Sequence, residues 1–156
     1  DLEYPSVVYP WLRKSLGVKV QYVKNVDGKI LLEDVEKAVD DKTVAVAVSH
    51  VEYVNGCRND LRALGEIVHE HGAHLIVDAI QSAGSMRIDV KRDDVDFLMT
   101  ACYKWLLSPP GTGYLYVKQY LIEKFEPPFV GWASVKPVTV PLLTPCSTTD
   151  RRSRRG

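Results

Sequence analysis

The chain has 156 residues, the length of one ordinary domain and enough to bury a real hydrophobic core. Apolar residues make up 46% of it and charged residues 26%, which excludes a disordered or fibrous polymer. Twenty basic residues balance twenty acidic ones and the pI is near 7.1, so the body of the chain gives no reason to expect nucleic acid or an anionic membrane as a partner. No apolar run approaches the roughly 20 residues that span a bilayer. The opening DLEYPSVVYP has neither the basic segment nor the apolar stretch of a secretion signal. Cys57, Cys102 and Cys146 are odd in number and widely spaced, which favours neither a disulfide framework nor a zinc site. A reduced, cytoplasmic setting is the simplest expectation.

In chain order, Ser6 is placed to cap a helix over residues 7–16, with Pro10 in its first turn and Gly17 ending it. VKVQYV, 18–23, alternates as a strand does, and the Asp27-Gly28 pair that follows is a turn signal. Leu31, Val35 and Val39 recur at four-residue spacing, the pattern of a short amphipathic helix. TVAVAVSHV, 43–51, reads as a strand covered on both faces. Leu61, Leu64, Ile67 and Val68 then form one helical stripe over residues 60–71, with Gly72 just past its end. HLIVDAI, VDFLMTA (95–101) and GYLYVK (113–118) are further strands, and a last helix begins near Gln119 and stops before Pro127-Pro128.

Strands alternating with helices predict an α/β fold of three αβα layers around a mainly parallel sheet. Residues 137–156 differ: they are proline-rich, without a clear period, and four of the last six are arginine. They are expected to form an irregular, disordered tail. Such a short basic cluster is ordinarily a solvated one.

Two polar residues interrupt the strand pattern. Asp78 follows Leu75, Ile76 and Val77, and Lys104 follows Ala101, Cys102 and Tyr103. Each has a purely structural explanation: a carboxylate serving as a helix cap or ion-pair partner, and a lysine snorkelling from a strand end. A buried carboxylate nevertheless costs several kcal/mol unless a cation or a hydrogen-bond donor meets it. In a parallel sheet the chemistry collects at the carboxyl ends of the strands, which places both residues on one rim. An amine partly desolvated between Tyr103 and Trp105 can condense with an aldehyde, and a carboxylate can keep a pyridine nitrogen protonated. Together these are the two needs of pyridoxal 5'-phosphate.

SHVEYVNG (49–56), VDAIQSAG (77–84), IDV (88–90), VDFL (95–98) and YKWLLSPPGTGYLYV (103–117), preceded by EYPSVVYPW (3–11), occur in the order and spacing of a known family. The stretch from about residue 3 to 136 resembles the large domain of class V aminotransferases, which include cysteine desulfurases and isopenicillin N epimerase-like proteins. The resemblance implies part of the large domain of a fold-type-I pyridoxal-phosphate enzyme over 1–136. It implies Lys104 as the Schiff-base lysine, Asp78 on the pyridinium nitrogen and Gln81 on the phenolic oxygen of the ring. It also implies an amino-acid substrate and a homodimer.

Several residues depart from the family pattern. Tyr103 stands where many relatives have a histidine on the phosphate side, and Ala101 where a serine is usual. Tyr53 stands where desulfurases commonly have asparagine. The ring-stacking aromatic falls near Tyr4 or Pro5. His50 ends its strand on the Asp78 rim and is a candidate either for cofactor contact or for a backbone bond. The family's glycine- and threonine-containing phosphate turn and its substrate-binding arginine match nothing here, and Cys146 does not match the desulfurase nucleophile. The chain therefore reads as a partial domain that does not turn over substrate as it stands. The expected activity is that of an aminotransferase. The alternatives are a cysteine desulfurase or a related lyase or epimerase, and a non-catalytic domain that keeps the fold. His69, His71 and His74 read as solvated, Cys102 as core, and GTG (111–113) as a tight turn or a phosphate cradle.

Overall fold

The computed structural model describes residues 1–129 and 131. The expected tail, 137–156, lies outside them. Asp1–Lys124 forms one compact unit, and Phe125–Gly156 separates as a second.

Helix α1 (Pro5–Val8) is followed by two 3-10 turns, Tyr9–Leu12 and Lys14–Leu16. The expected helix over 7–16 is thus broken. Pro10 has no N–H to continue the α pattern and opens the first of the tighter turns, while Gly17, at φ 65°, ends the second. Ser6 falls inside α1, and its cap is Tyr4. Residues 18–23 form no strand, although the hairpin-like turn beyond them forms as expected. There Val26 pairs with Lys29 across Asp27 (φ 50°) and Gly28 (φ 76°).

Helix α2 (Leu32–Ala38) leads to strand β1 (Ala45–Ser49), helix α3 (Leu61–Glu70) and strand β2 (His74–Asp78). Asp60 caps α3 by accepting the Ala63 N–H at 3.1 Å, and Gly72 leaves the helix at φ 69°. Strands β3 (Phe97–Ala101) and β4 (Gly113–Val117) and helix α4 (Gln119–Ile122) complete the unit. The sheet order is β1-β2-β3-β4, with parallel pairing up to β3 and β4 antiparallel to it. The reversal has a covalent reason: 102–112 contains no crossover helix, so the chain can only turn back. The result is the expected mixed, mostly parallel sheet with helices.

One face of the sheet carries the core. Leu75 and Val77 of β2 are fully buried against Leu64 and Val68 of α3, with Val35 and Val39 of α2 beside them. The amino edge of the sheet is pinned by Asp96. Its buried carboxylate accepts the Leu75 N–H at 2.9 Å and pairs with His69 Nε2 at 2.7 Å and Lys118 Nζ at 3.5 Å. The histidines are therefore not solvated as expected. His69 and His74 converge on Asp96, and His71 pairs with Asp41 at 2.9 Å. Sheet pairing brings them to these carboxylates, and nothing in their local sequence announces it.

Candidate active site

The carboxyl end of the sheet is where β1, β2 and β3 all stop. Asp78 is the last residue of β2, paired in register with Ser49 on one side and Met99 on the other. The chain leaves β2 by a tight turn, in which Asp78 Oδ1 accepts the Ile80 N–H at 2.8 Å and Ala79 N–H donates to Met99 O at 2.8 Å. Burial pushes the Asp78 carboxyl up. The Ile80 N–H and the Lys104 charge oppose that without cancelling it. Asp78 is thus a half-buried carboxylate short of positive charge, with Lys104 near enough to act on it.

Lys104 stands three residues past β3 in a loop closed by backbone bonds. Leu107 N–H donates to Lys104 O at 3.0 Å, and Ser108 N–H to Cys102 O at 3.0 Å. Cys102 is buried core, as expected. Tyr103 and Trp105, on either side of the lysine, are 50% and 57% exposed, so the aromatic enclosure expected around the amine is open. Lys104 itself is half-buried. Gly111 (φ 102°) and Gly113, where a Cβ would sit 2.9 Å from Thr100 O, make the expected tight turn into β4.

The two motifs meet at Gly84. A Cβ there would lie 2.7 Å from Trp105 O and 2.8 Å from its carbonyl carbon, so only glycine lets the segment after Asp78 touch the lysine loop. Gln81, in the segment between Asp78 and Gly84, is half-buried, and neither its side chain nor that of Tyr103 hydrogen-bonds another described residue. His50, 7% exposed, donates its backbone N–H to Asp78 O at 2.8 Å, and its Nδ1 sits 3.0 Å from Ser82 Oγ. Burial first, then Arg58, lowers its pKa and keeps the ring neutral. Ser82 Oγ also donates to Ala79 O at 3.2 Å, so the serine ties the His50 ring to the turn after Asp78.

Two carboxylates that sequence reasoning passed over, Glu3 and Glu52, complete the rim together with Tyr4 and Tyr53. Glu3 accepts both the N–H and the hydroxyl of Ser49 at 2.7 Å, and burial pushes its pKa up, with Asp78 adding to the rise. Glu52 is 1% exposed: Asn59 Nδ2 donates to its Oε1 at 2.8 Å, while Oε2 has no partner among the described residues. Its carboxyl is pushed up to about 7, by burial first and by Glu3 second. Tyr4 and Tyr53 meet edge-on with ring centroids 5.1 Å apart, which joins the EYPS segment to the loop after β1. Glu3 and Glu52 had no signal in the sequence, whereas Gly84 had one as the terminal glycine of VDAIQSAG.

The pattern that defines the aminotransferase class-V family matches residues 1–156. The chain belongs to that family. An uncharacterized aminotransferase, YcbU, of Bacillus subtilis is 38% identical over 132 residues, 85% of this chain and 35% of the relative. A probable cysteine desulfurase of Halalkalibacterium halodurans is 40% identical over 129 residues, 81% of this chain and 32% of the relative. Among solved structures, the apo cysteine desulfurase of Thermococcus onnurineus superposes with a TM-score of 0.81 at 35% identity, covering 88% of this chain and 35% of that one. The architecture is therefore that of fold-type-I pyridoxal-phosphate enzymes. The chain spans about a third of the length of the relatives it matches. No helix among the described residues is long and apolar enough to cross a membrane.

Proposed function

We propose that the chain carries the cofactor-anchoring half of a pyridoxal-phosphate-dependent aminotransferase, with Lys104 and Asp78 as its two essential groups. The observation that carries this reading is the state of Asp78. A carboxylate held half-buried at a strand end, with its pKa raised by burial and only a partial opposing charge, is a site waiting for a cation. A protonated pyridine ring is such a cation, and Lys104 lies on the same rim to receive the aldehyde at the far side of the ring. The residues present therefore fit the cofactor.

When bound, pyridoxal phosphate supplies an electron sink that acidifies the α-carbon of an amino acid. The protein's part is distinct. Asp78 keeps the ring nitrogen protonated, and Gln81 offers its unengaged amide to the phenolic oxygen. Lys104 would hold the aldehyde of the cofactor, and its amine, on the same rim, would serve as the group that moves a proton at the substrate α-carbon, as general base and then general acid. Neutral His50, anchored by Ser82, presents its ring and no charge to the site. Tyr103 offers a free hydroxyl on the phosphate side, the role that histidine fills in many relatives.

Aminotransferase is preferred over cysteine desulfurase because Tyr53 replaces the asparagine common in desulfurases. The desulfurase reading is kept as the second one, because the probable cysteine desulfurase of Halalkalibacterium halodurans and the Thermococcus onnurineus structure carry that name. Incubation with pyridoxal phosphate and a panel of amino acids separates the readings. A visible band that borohydride bleaches supports cofactor anchoring, and no band even at saturating cofactor refutes both readings; keto acid from an amino donor or sulfide from cysteine would decide between them and overturn the expectation that the chain does not turn over substrate.

A further inference from the structure

Polar groups follow one another across the carboxyl end of the sheet. Ser49 ends β1 and Asp78 ends β2, and the two are register partners in a parallel pair, so their side chains stand on one face. Beside Ser49 lies Glu3. Its two oxygens take the Ser49 N–H and the Ser49 hydroxyl, each at 2.7 Å, a forked grip that fixes the carboxylate against the serine. On the other side of Asp78, three residues beyond β3, stands Lys104. Burial raises the pKa of both carboxyls; the Asp78 charge adds to the rise at Glu3, and the Ile80 N–H and the Lys104 charge oppose it at Asp78. The amino group of Asp1 also acts on Glu3, and is itself bound to Val23 O at 2.9 Å. Two carboxylates so placed repel each other unless a cation joins them. A tether from the segment before α1 to β1 needs no such charge. The amide of a glutamine could take the Ser49 N–H with its oxygen and donate to the hydroxyl, which accepts as readily as it donates. The charge of Glu3 is therefore what calls for a reason.

We propose that Glu3 is a positioning residue for the pyridoxal-phosphate ring, a second negative charge that stands behind Asp78 and strengthens its hold on the protonated ring nitrogen. A cation seated on one carboxylate gains from another close by, and the protonated form of the nitrogen gains with it. Ser49 supplies the geometry: with both Glu3 oxygens engaged, the charge cannot swing away from the strand end or compete with Asp78 for the ring itself. Glu3 thus acts through Asp78 and not by contact. The inference rests on the cofactor reading above and goes beyond it in assigning Glu3.

The test compares pyridoxal phosphate with 1-deazapyridoxal phosphate, in which a C–H replaces the ring nitrogen. Each is titrated by absorbance into the native chain and into Glu3→Gln. The native chain should bind pyridoxal phosphate more tightly than the deaza compound. Glu3→Gln should weaken pyridoxal phosphate about three- to tenfold and leave the deaza compound within about twofold, so that the preference shrinks. A mere tether behaves otherwise. Both ligands would then weaken together, or neither would, and either result overturns the proposal while leaving the cofactor reading intact. A native chain that binds the two ligands equally overturns the proposal together with the pairing at Asp78, and one that binds neither overturns the whole cofactor reading with it. If circular dichroism shows that Glu3→Gln does not fold, Ser49→Ala carries the comparison. It releases Glu3 Oε2 from the hydroxyl and should cut the same preference by about twofold or more, and an unchanged preference there overturns the proposal.

Discussion

Glu52 offers the sharpest test of the electrostatics at this rim. Its carboxyl titrates near 4.5 in unfolded chain and is pushed up to about 7 in the fold, first because it is buried and then because Glu3 is its neighbour. The folded state therefore holds this proton more tightly than the unfolded state does. Between those two pH values folding takes up a proton, so stability falls as pH rises through the window. A rise from 4.5 to about 7 corresponds to about 3 kcal/mol, a large share of the stability of a domain this size. Glu52→Gln keeps the oxygen that accepts from Asn59 and removes the titration. Its new amide is itself unpartnered, at a cost of about 1–3 kcal/mol that does not vary with pH. The decisive quantity is therefore the pH dependence and not the absolute difference. Urea denaturation at pH 4 and pH 8 should show the native chain losing about 3 kcal/mol more than the variant across that interval. Parallel profiles for the two proteins would refute the burial of an ionisable Glu52.

Three further outcomes follow from the same geometry. Asp78→Ala should leave stability at pH 7 unchanged or slightly raised, because it removes a carboxylate whose pKa burial has raised, while weakening pyridoxal-phosphate binding in a spectroscopic titration. Gly84→Ala should destabilise the fold by about 2–3 kcal/mol in urea, since its Cβ would meet Trp105 O at 2.7 Å, and should slow cofactor capture by displacing the lysine loop. Asp96→Ala should cost about 1–3 kcal/mol, because the Leu75 N–H loses its acceptor while His69 and Lys118 keep Asp94 as a partner at 3.1 Å and 2.6 Å. Burial alone would raise the Asp96 pKa, but His69, the Leu75 N–H and Lys118 together hold it down. The contribution of Asp96 is accordingly present above its unfolded pKa and lost as pH falls through its lower folded one, a loss absent from the variant.

Local signals carried well wherever periodicity and caps agree. The stripe Leu61, Leu64 and Val68 with Asp60 before it and Gly72 after it gave α3, and the apolar run into Asp78 gave β2. The helix expected over 7–16 failed because Pro10 acts on backbone hydrogen bonding, which an apolar pattern does not register. VKVQYV alternates, with Val20 and Val23 half-buried and the rest exposed, yet alternation says nothing about whether a partner strand lies alongside. The shared rim of Asp78 and Lys104 was legible because parallel topology puts strand ends together. The contacts that shape that rim were not. Glu3 reaches Ser49 across 46 positions, and His50 reaches Ser82 across 32. Such pairings exist only once the sheet has assembled. Gly84 was visible as a glycine, but its reason, the carbonyl of Trp105, was not.

The claim that Lys104 is the amine meant for the aldehyde can be put to one direct measurement. The purified chain is equilibrated with pyridoxal phosphate, reduced with borohydride, digested, and its labelled lysines located by mass spectrometry. Labelling concentrated on Lys104, and lost from that peptide alone in Asp78→Ala, is the predicted result. Label spread evenly over the surface lysines, with Lys104 no richer than the rest, would contradict it.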